Sequence, residues 1–183
     1  MSRFPEHITN EELARMPRCS FPGPVEVIDT EERAAAACAY LLSCERVGFD
    51  TVTRPSFKAG VSNRTALLQL SSADRCFLFR LSRMKLSKEI AKVLESDSVL
   101  KVGAAVRDDI KGLQKLRFFR PRGFVDLQSM VGEWGIAEKS VRKLAGIVLA
   151  ASVSKAQRLS NWEAATLTPA QIEEILRANP DDV

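Results

Sequence analysis

A short apolar stretch that ends in a carboxylate and then breaks constrains this chain more than any other feature. Val47-Gly48-Phe49-Asp50-Thr51-Val52-Thr53 rises out of a polar segment and is closed by Arg54-Pro55. Such a density of β-branched and aromatic residues specifies a buried strand, and the proline, which cannot donate to a ladder, ends it. The strand therefore presents Asp50 near its mouth. Because successive strand side chains point to opposite faces, Asp50 and the residue at position 52 project together from one face.

The rest of the chain supplies partners for that strand. Val25–Ile28 reads as an edge strand, and Thr30, followed by Glu31 and Glu32, opens a helix to about Leu42. A hydroxyl cap with acids in the first turn is a good helix start, and the spacing puts Ala35, Cys38, Ala39 and Leu42 on the inner face. Two apolar runs, Thr65–Leu70 and Arg75–Arg80, flank Ser71-Ser72-Ala73-Asp74 in the pattern of a hairpin. A helix from about Ser87 to Glu95, a strand over Val99–Gly103 and a helix over Asp109–Leu116 follow. From Phe124 onward the chain reads as mostly helical, around Val131, over Val141–Leu149 and over Asn161–Ala165. Thr168-Pro169-Ala170-Gln171 starts a last helix to about Ala178, with Thr at the cap and Pro at the first helical position. Strands alternating with helices after an opening meander indicate an α/β fold, a mixed sheet flanked by helices on both faces with a mostly helical C-terminal part.

With 183 residues and 45% hydrophobic content, one domain with a substantial core is expected. Residues 1–24, rich in proline and polar groups, form an N-terminal arm with a short helical possibility over Asn10–Met16, and residues 25–183 form the domain. The net charge of +4 favours a polyanionic partner without demanding one. Cys19, Cys38, Cys44 and Cys76 have neither the spacing nor the neighbouring histidine of a zinc site, and they read as reduced thiols. His7, the single histidine, lies in the arm, which leaves a histidine general base almost nothing to work with. No apolar run is long enough to span a membrane and the start lacks a signal-peptide core, so a soluble, cytoplasmic protein without a membrane partner is expected. The sequence leaves the oligomeric state open.

Three stretches carry a resemblance: Gly48-Phe49-Asp50-Thr51-Val52-Thr53-Arg54-Pro55, Lys101-Val102-Gly103-Ala104-Ala105-Val106-Arg107-Asp108-Asp109, and Ser154-Lys155-Ala156-Gln157-Arg158-Leu159-Ser160-Asn161-Trp162. Together they resemble the 3′-5′ exonucleases of the Asp-Glu-Asp-Asp superfamily, the group that includes ribonuclease D and the Werner syndrome exonuclease domain. The resemblance implies a ribonuclease H-like fold, a mixed sheet with one antiparallel strand. It implies metal-dependent phosphodiester hydrolysis at the 3′ ends of single-stranded DNA or RNA, with Mg²⁺ or Mn²⁺ as the ion. Asp50 and Asp109 match the family's first and second metal-binding aspartates. Gln69, Lys155, Arg158 and Trp162 match its nucleic-acid groove, alongside Gln157. For Trp162 a place in the core competes with a base contact, and for Lys155 and Arg158 a solvated face competes with phosphate binding.

The chain departs from the family twice. Val52 stands where the first motif keeps a metal-binding glutamate. After Thr168-Pro169-Ala170-Gln171 the family continues into Tyr-Ala-Ala-x-Asp-Ala, whereas this chain reads Ile172-Glu173-Glu174-Ile175-Leu176-Arg177 and keeps its only tyrosine, Tyr40, on the early helix. The spacing of Glu173, Glu174, Asp181 and Asp182 does not match the missing aspartate. With two of the family's four carboxylates absent, one weakly held ion or none is expected, and enzyme activity is left open. The sequence supports three readings: an impaired exonuclease, a catalytically inactive pseudo-exonuclease that binds single strands, or a protein-interaction scaffold.

Overall fold

The structure, a computed structural model, describes residues 4–18, 21, 23–53, 59–60 and 64–152. Within them a six-stranded sheet takes the order β1-β4-β3-β2-β5-β6. The strands are β1 (Val25–Ile28), β2 (Arg46–Thr53), β3 (Thr65–Ser71), β4 (Cys76–Arg80), β5 (Leu100–Gly103) and β6 (Phe124–Asp126). β1 pairs parallel to β4, and β2, β5 and β6 pair parallel to one another. β3 runs antiparallel to both its neighbours, which makes it the one antiparallel strand among the described residues. The hairpin and the mixed sheet expected from the sequence are both present.

Six α-helices accompany this sheet among the described residues: α1 (Asn10–Ala14), α2 (Glu31–Leu42), α3 (Lys88–Leu94), α4 (Val106–Gln114), α5 (Leu127–Met130) and α6 (Val141–Leu149). One sheet face, carrying Phe49, Leu68, Leu70, Phe77 and Phe79, forms a single core with α2, α3 and the Val106 and Leu113 side of α4. The opposite face carries Leu67, Cys76, Leu78 and Val52 and packs against Phe21. Every residue of β3 is buried, as befits a central strand covered on both sides.

The caps explain the helix starts. Thr30, Ser87 and Ser140 each accept a hydrogen bond from a backbone N–H in the first turn of α2, α3 and α6. Thr9 and Glu12 close a full capping box at α1. That short helix holds the arm in place, because Leu13 is fully buried among Val131, Leu144 and Ile147. Gly146 permits the approach, since a Cβ there would collide with the Leu13 side chain at Cδ2.

Two expectations are corrected. The buried side of α2 is Ala34, Ala37, Cys38 and Leu41, with Leu42 41% exposed, so the inner face is turned from the one the spacing suggested. Four consecutive alanines offer no apolar contrast from which to set a helix phase. α4 begins at Val106, three residues earlier than read, because its cap arrives from a distant strand. That strand is β6, which pairs parallel to β5. The helices read over Asn161–Ala165 and from Thr168 lie outside the described residues.

Candidate active site

The parallel strands β2, β5 and β6 deliver their C-terminal ends to one edge of the sheet, and the polar chemistry of the chain collects there. Ligand sites in open α/β sheets form at such carboxyl ends. At the end of β2 the residue between the two expected positions does the organising. The Thr51 backbone N–H donates to Asp50 Oδ1 at 2.8 Å, and its hydroxyl donates to Asp109 Oδ1 at 2.5 Å. One threonine thus bridges both carboxylates that the sequence singled out. Strand alternation sets their approach: Asp50 and Val52 belong to the face that packs on Phe21, and Thr51 points to the face that carries α4.

The entry of α4 is built for close packing. Ala105, at the cap position, adopts the left-handed conformation with φ 54° and offers no side-chain cap. Asp126, at the end of β6, caps the helix in its place. Its carboxylate accepts from the Ala105 N–H at 3.1 Å, the Val106 N–H at 3.3 Å and the Gln128 N–H at 2.9 Å. One side chain therefore satisfies the starts of both α4 and α5 and places a negative charge at the positive end of the α4 dipole. Gly103 lets the β5–α4 turn lie on β2, since a Cβ would sit 2.6 Å from the Phe49 carbonyl oxygen.

Asp109 sits in the first turn of the helix so anchored. Burial, the largest cause, pushes its carboxyl above the ordinary carboxylate range; the Thr51 hydroxyl opposes this, and the charges of Asp108 and Asp126 add to it. A half-buried carboxylate facing like charges favours a proton or a cation nearby.

Of the carboxylate positions that the resemblance implies, the described residues contain those of Asp50, Val52 and Asp109. Among the described residues, no three His, Cys, Asp or Glu side chains gather into a group able to hold a metal ion. Position 52 contributes only methyl groups, packed against the Phe21 cluster. Among the described residues, the two carboxylates tied through Thr51 offer hard oxygen donors of the kind that divalent ions prefer.

Of the other expected site residues, Gln69 stands opposite Asp50 in the ladder yet is only 3% exposed, with its side chain hydrogen-bonded to the Cys76 thiol. It is part of the floor of the sheet. Lys155, Gln157, Arg158 and Trp162 lie outside the described residues. Thr51 and Asp126 were missed by sequence reasoning. Asp126 did carry a signal, because Phe124-Val125-Asp126 repeats the apolar-strand-then-aspartate pattern of Gly48-Phe49-Asp50.

Comparison with known proteins extends this picture. Residues 25–173 match a family model described as 3′-5′ exonuclease. The chain is 37% identical over 118 residues to Exonuclease 3′-5′ domain-containing protein 2 of Drosophila melanogaster, covering 62% of this chain and 20% of that protein. It is 30% identical over 166 residues to the Bifunctional 3′-5′ exonuclease/ATP-dependent helicase WRN of Mus musculus, covering 85% of this chain and 12% of that protein. The chain thus spans a fifth or less of the length of these curated relatives. Among solved structures, Trypanosoma brucei RNase D in complex with RNA U12 superimposes with a TM-score of 0.68 at 19% identity, over 85% of this chain and 59% of that one. At that identity the likeness speaks for the fold alone.

Proposed function

The chain belongs to the 3′-5′ exonuclease family, and from that premise we propose that it engages the 3′ ends of single-stranded DNA or RNA with its phosphodiester hydrolysis strongly impaired. The observation that carries this is the end of β2. Asp50 and Asp109 are both placed there, tied through Thr51, while an apolar side chain occupies the position that shares the Asp50 face. The family depends on divalent metal, and removing one electrostatic partner from a hydrolytic site costs on the order of 100- to 1,000-fold in rate. Thr51 and Asp126 still orient α4 and Asp109. The RNA held by Trypanosoma brucei RNase D supports a single strand as the ligand class.

A second reading, a catalytically silent binder of single strands, is favoured by the lack of any three-ligand metal group among the described residues. The two separate on a denaturing gel that follows 5′-labelled single-stranded DNA and RNA with Mg²⁺ or Mn²⁺, beside the Asp50→Ala and Val52→Glu variants. A ladder shortening from the 3′ end, abolished by Asp50→Ala and strengthened by Val52→Glu, supports an impaired exonuclease. No ladder from the wild-type chain at high protein concentration, together with retained oligonucleotide binding, supports the silent binder. No ladder and no binding overturns both.

A further inference from the structure

At the far end of α4 from Asp109 lies a pocket of ≈ 450 Å³ with Arg64, Arg83, Lys85 and Arg117 in its lining and no acidic residue. Its floor is apolar, formed by Leu81, Met84 and Leu86, each less than a tenth exposed, while the four cationic side chains belong to exposed residues. None of the four pairs with a carboxylate among the described residues, although Arg33, Arg75 and Arg122 all do. Four like charges gathered at one pocket repel one another, and a polyanion relieves that repulsion. An adjoining pocket shares Lys85 and Arg117 and contains Glu31, Glu32 and Glu89. Those acids limit the favourable region to the Arg64 and Arg83 side.

α4 connects this pocket to the cleft. Gly112 lies against the Thr65 hydroxyl, with a Cβ there only 2.8 Å away, so the helix passes over the start of β3 next to Arg64. From Asp109 to Arg117 the chain advances about 12 Å at the helical rise, which is the reach of three to four stacked nucleotides at about 3.4 Å each along a strand. Phe118 follows directly in the chain and is 74% exposed, the most exposed of the large apolar side chains among the described residues, while its neighbour Phe119 is buried in the core. An exposed ring beside cationic groups is the makeup of a single-strand binding surface, because every base offers a face for stacking.

We propose that this pocket holds backbone phosphates of the same single strand, three to four nucleotides inward from the end placed at Asp50 and Asp109, with Phe118 stacking on a base. The inference rests on the reading of the cleft as a site for strand ends. Free phosphate shares the chemistry, but the apolar floor and the exposed ring favour a strand.

The test is fluorescence anisotropy with 5′-fluorescein-labelled dT12 and dT3 between 50 and 300 mM salt, comparing the wild-type chain with Arg64→Gln/Arg83→Gln and with Phe118→Ala. All three replaced side chains are exposed, so the melting temperature serves as a check that the fold is retained. For dT12, the double variant is expected to flatten the log–log salt dependence by about 0.7 per lost contact and to weaken binding roughly tenfold per contact at the lowest salt. Phe118→Ala should weaken dT12 about fivefold or more without changing the slope. Binding of dT3, which is too short to span both regions, should be unaffected by either change. Tight dT12 binding with an unchanged slope in the double variant overturns the pocket and leaves the reading of the cleft intact. Equal loss of dT3 binding overturns the assigned distance, and displacement of dT12 by tripolyphosphate at matched phosphate concentration overturns a strand in favour of a small anion. Absence of any dT12 or dT3 binding by the wild-type chain overturns both the pocket and the cleft as nucleic-acid sites.

Discussion

Replacing Asp126 by alanine removes the one side chain that caps two helices, and the cost follows from its bonds. Ala105, Val106 and Gln128 each lose the acceptor of a backbone N–H. The Val106 residue is 7% exposed, which leaves its amide little access to water as a substitute. An N-cap is worth about 1 kcal/mol, and a hydrogen bond to a charged group roughly 1.5–3 kcal/mol. With two helix starts involved, Asp126→Ala should destabilise the chain by about 2–4 kcal/mol, a fall in Tm of about 5–12 °C for a protein of this size. Asp126→Asn keeps Oδ1, which serves Ala105 and Gln128, and loses only the acceptor of Val106, so its cost should be about 1 kcal/mol. Urea unfolding at pH 7 measures both, with an unchanged m-value required for the comparison. A carbon-13 carboxyl titration supplies a second readout, since the Asp126 charge is among the causes that raise Asp109 and its removal should bring Asp109 down. An alanine variant within about 0.5 kcal/mol of wild type, or an asparagine variant as damaging as alanine, would refute the assignment of Asp126 as the shared cap.

Three further outcomes follow from the same geometry. Ala105 takes a left-handed conformation that costs a residue with a Cβ about 1–2 kcal/mol, so Ala105→Gly should stabilise the chain by about 0.5–1 kcal/mol in the same urea assay, and a loss of stability would count against that backbone. Asp109 has its carboxyl raised in the folded state; for an acid this means stability falls as pH climbs through the window above the ordinary carboxylate value. Asp109→Asn, which keeps the acceptor for Thr51, should therefore be more stable than wild type at pH 7 while losing any nuclease activity, and the stability gain should vanish near pH 3.5. Lys101 is fully buried, with its ammonium donating to the Ser96 and Val99 carbonyls, and burial pushes it down to about 8 against the partial opposition of Asp97. For a base depressed on folding, stability rises with pH between about 8 and 10.5. Lys101→Met should remove that rise, and parallel wild-type and variant curves of Tm against pH would refute it.

The sheet was legible because β-branched and aromatic runs bounded by polar turns announce strands wherever they occur, as at Val47–Thr53 and at the hairpin of β3 and β4. The helix starts at Thr30 and Ser87 were legible for a different reason, since their caps are local and a hydroxyl three residues ahead of its amide partner is visible in the sequence. α4 was mis-started because its cap, Asp126, lies 21 residues from Ala105 and comes close only through the parallel pairing of β5 and β6. The same distinction holds at the site. Asp50 and Asp109 were readable through motif, whereas Thr51 draws its importance from a contact across 58 residues that no local pattern encodes. Gln69 was singled out through the family match alone, and its burial follows from coverage of both sheet faces, which no local pattern encodes.

Val52 unites the structural and the functional reading. A glutamate at position 52 would share the Asp50 face two residues away, beside the apolar Phe21 cluster, and would face both like-charge repulsion and desolvation. A valine there removes the repulsion and adds to the packing. The hydrogen bonds that hold the cleft in shape run instead through Thr51 to Asp109 and through Asp126 to Ala105 and Val106, and none involves the side chain at position 52. A change of side chain at position 52 therefore leaves these bonds, and with them the strand ends and the helix entry, in place.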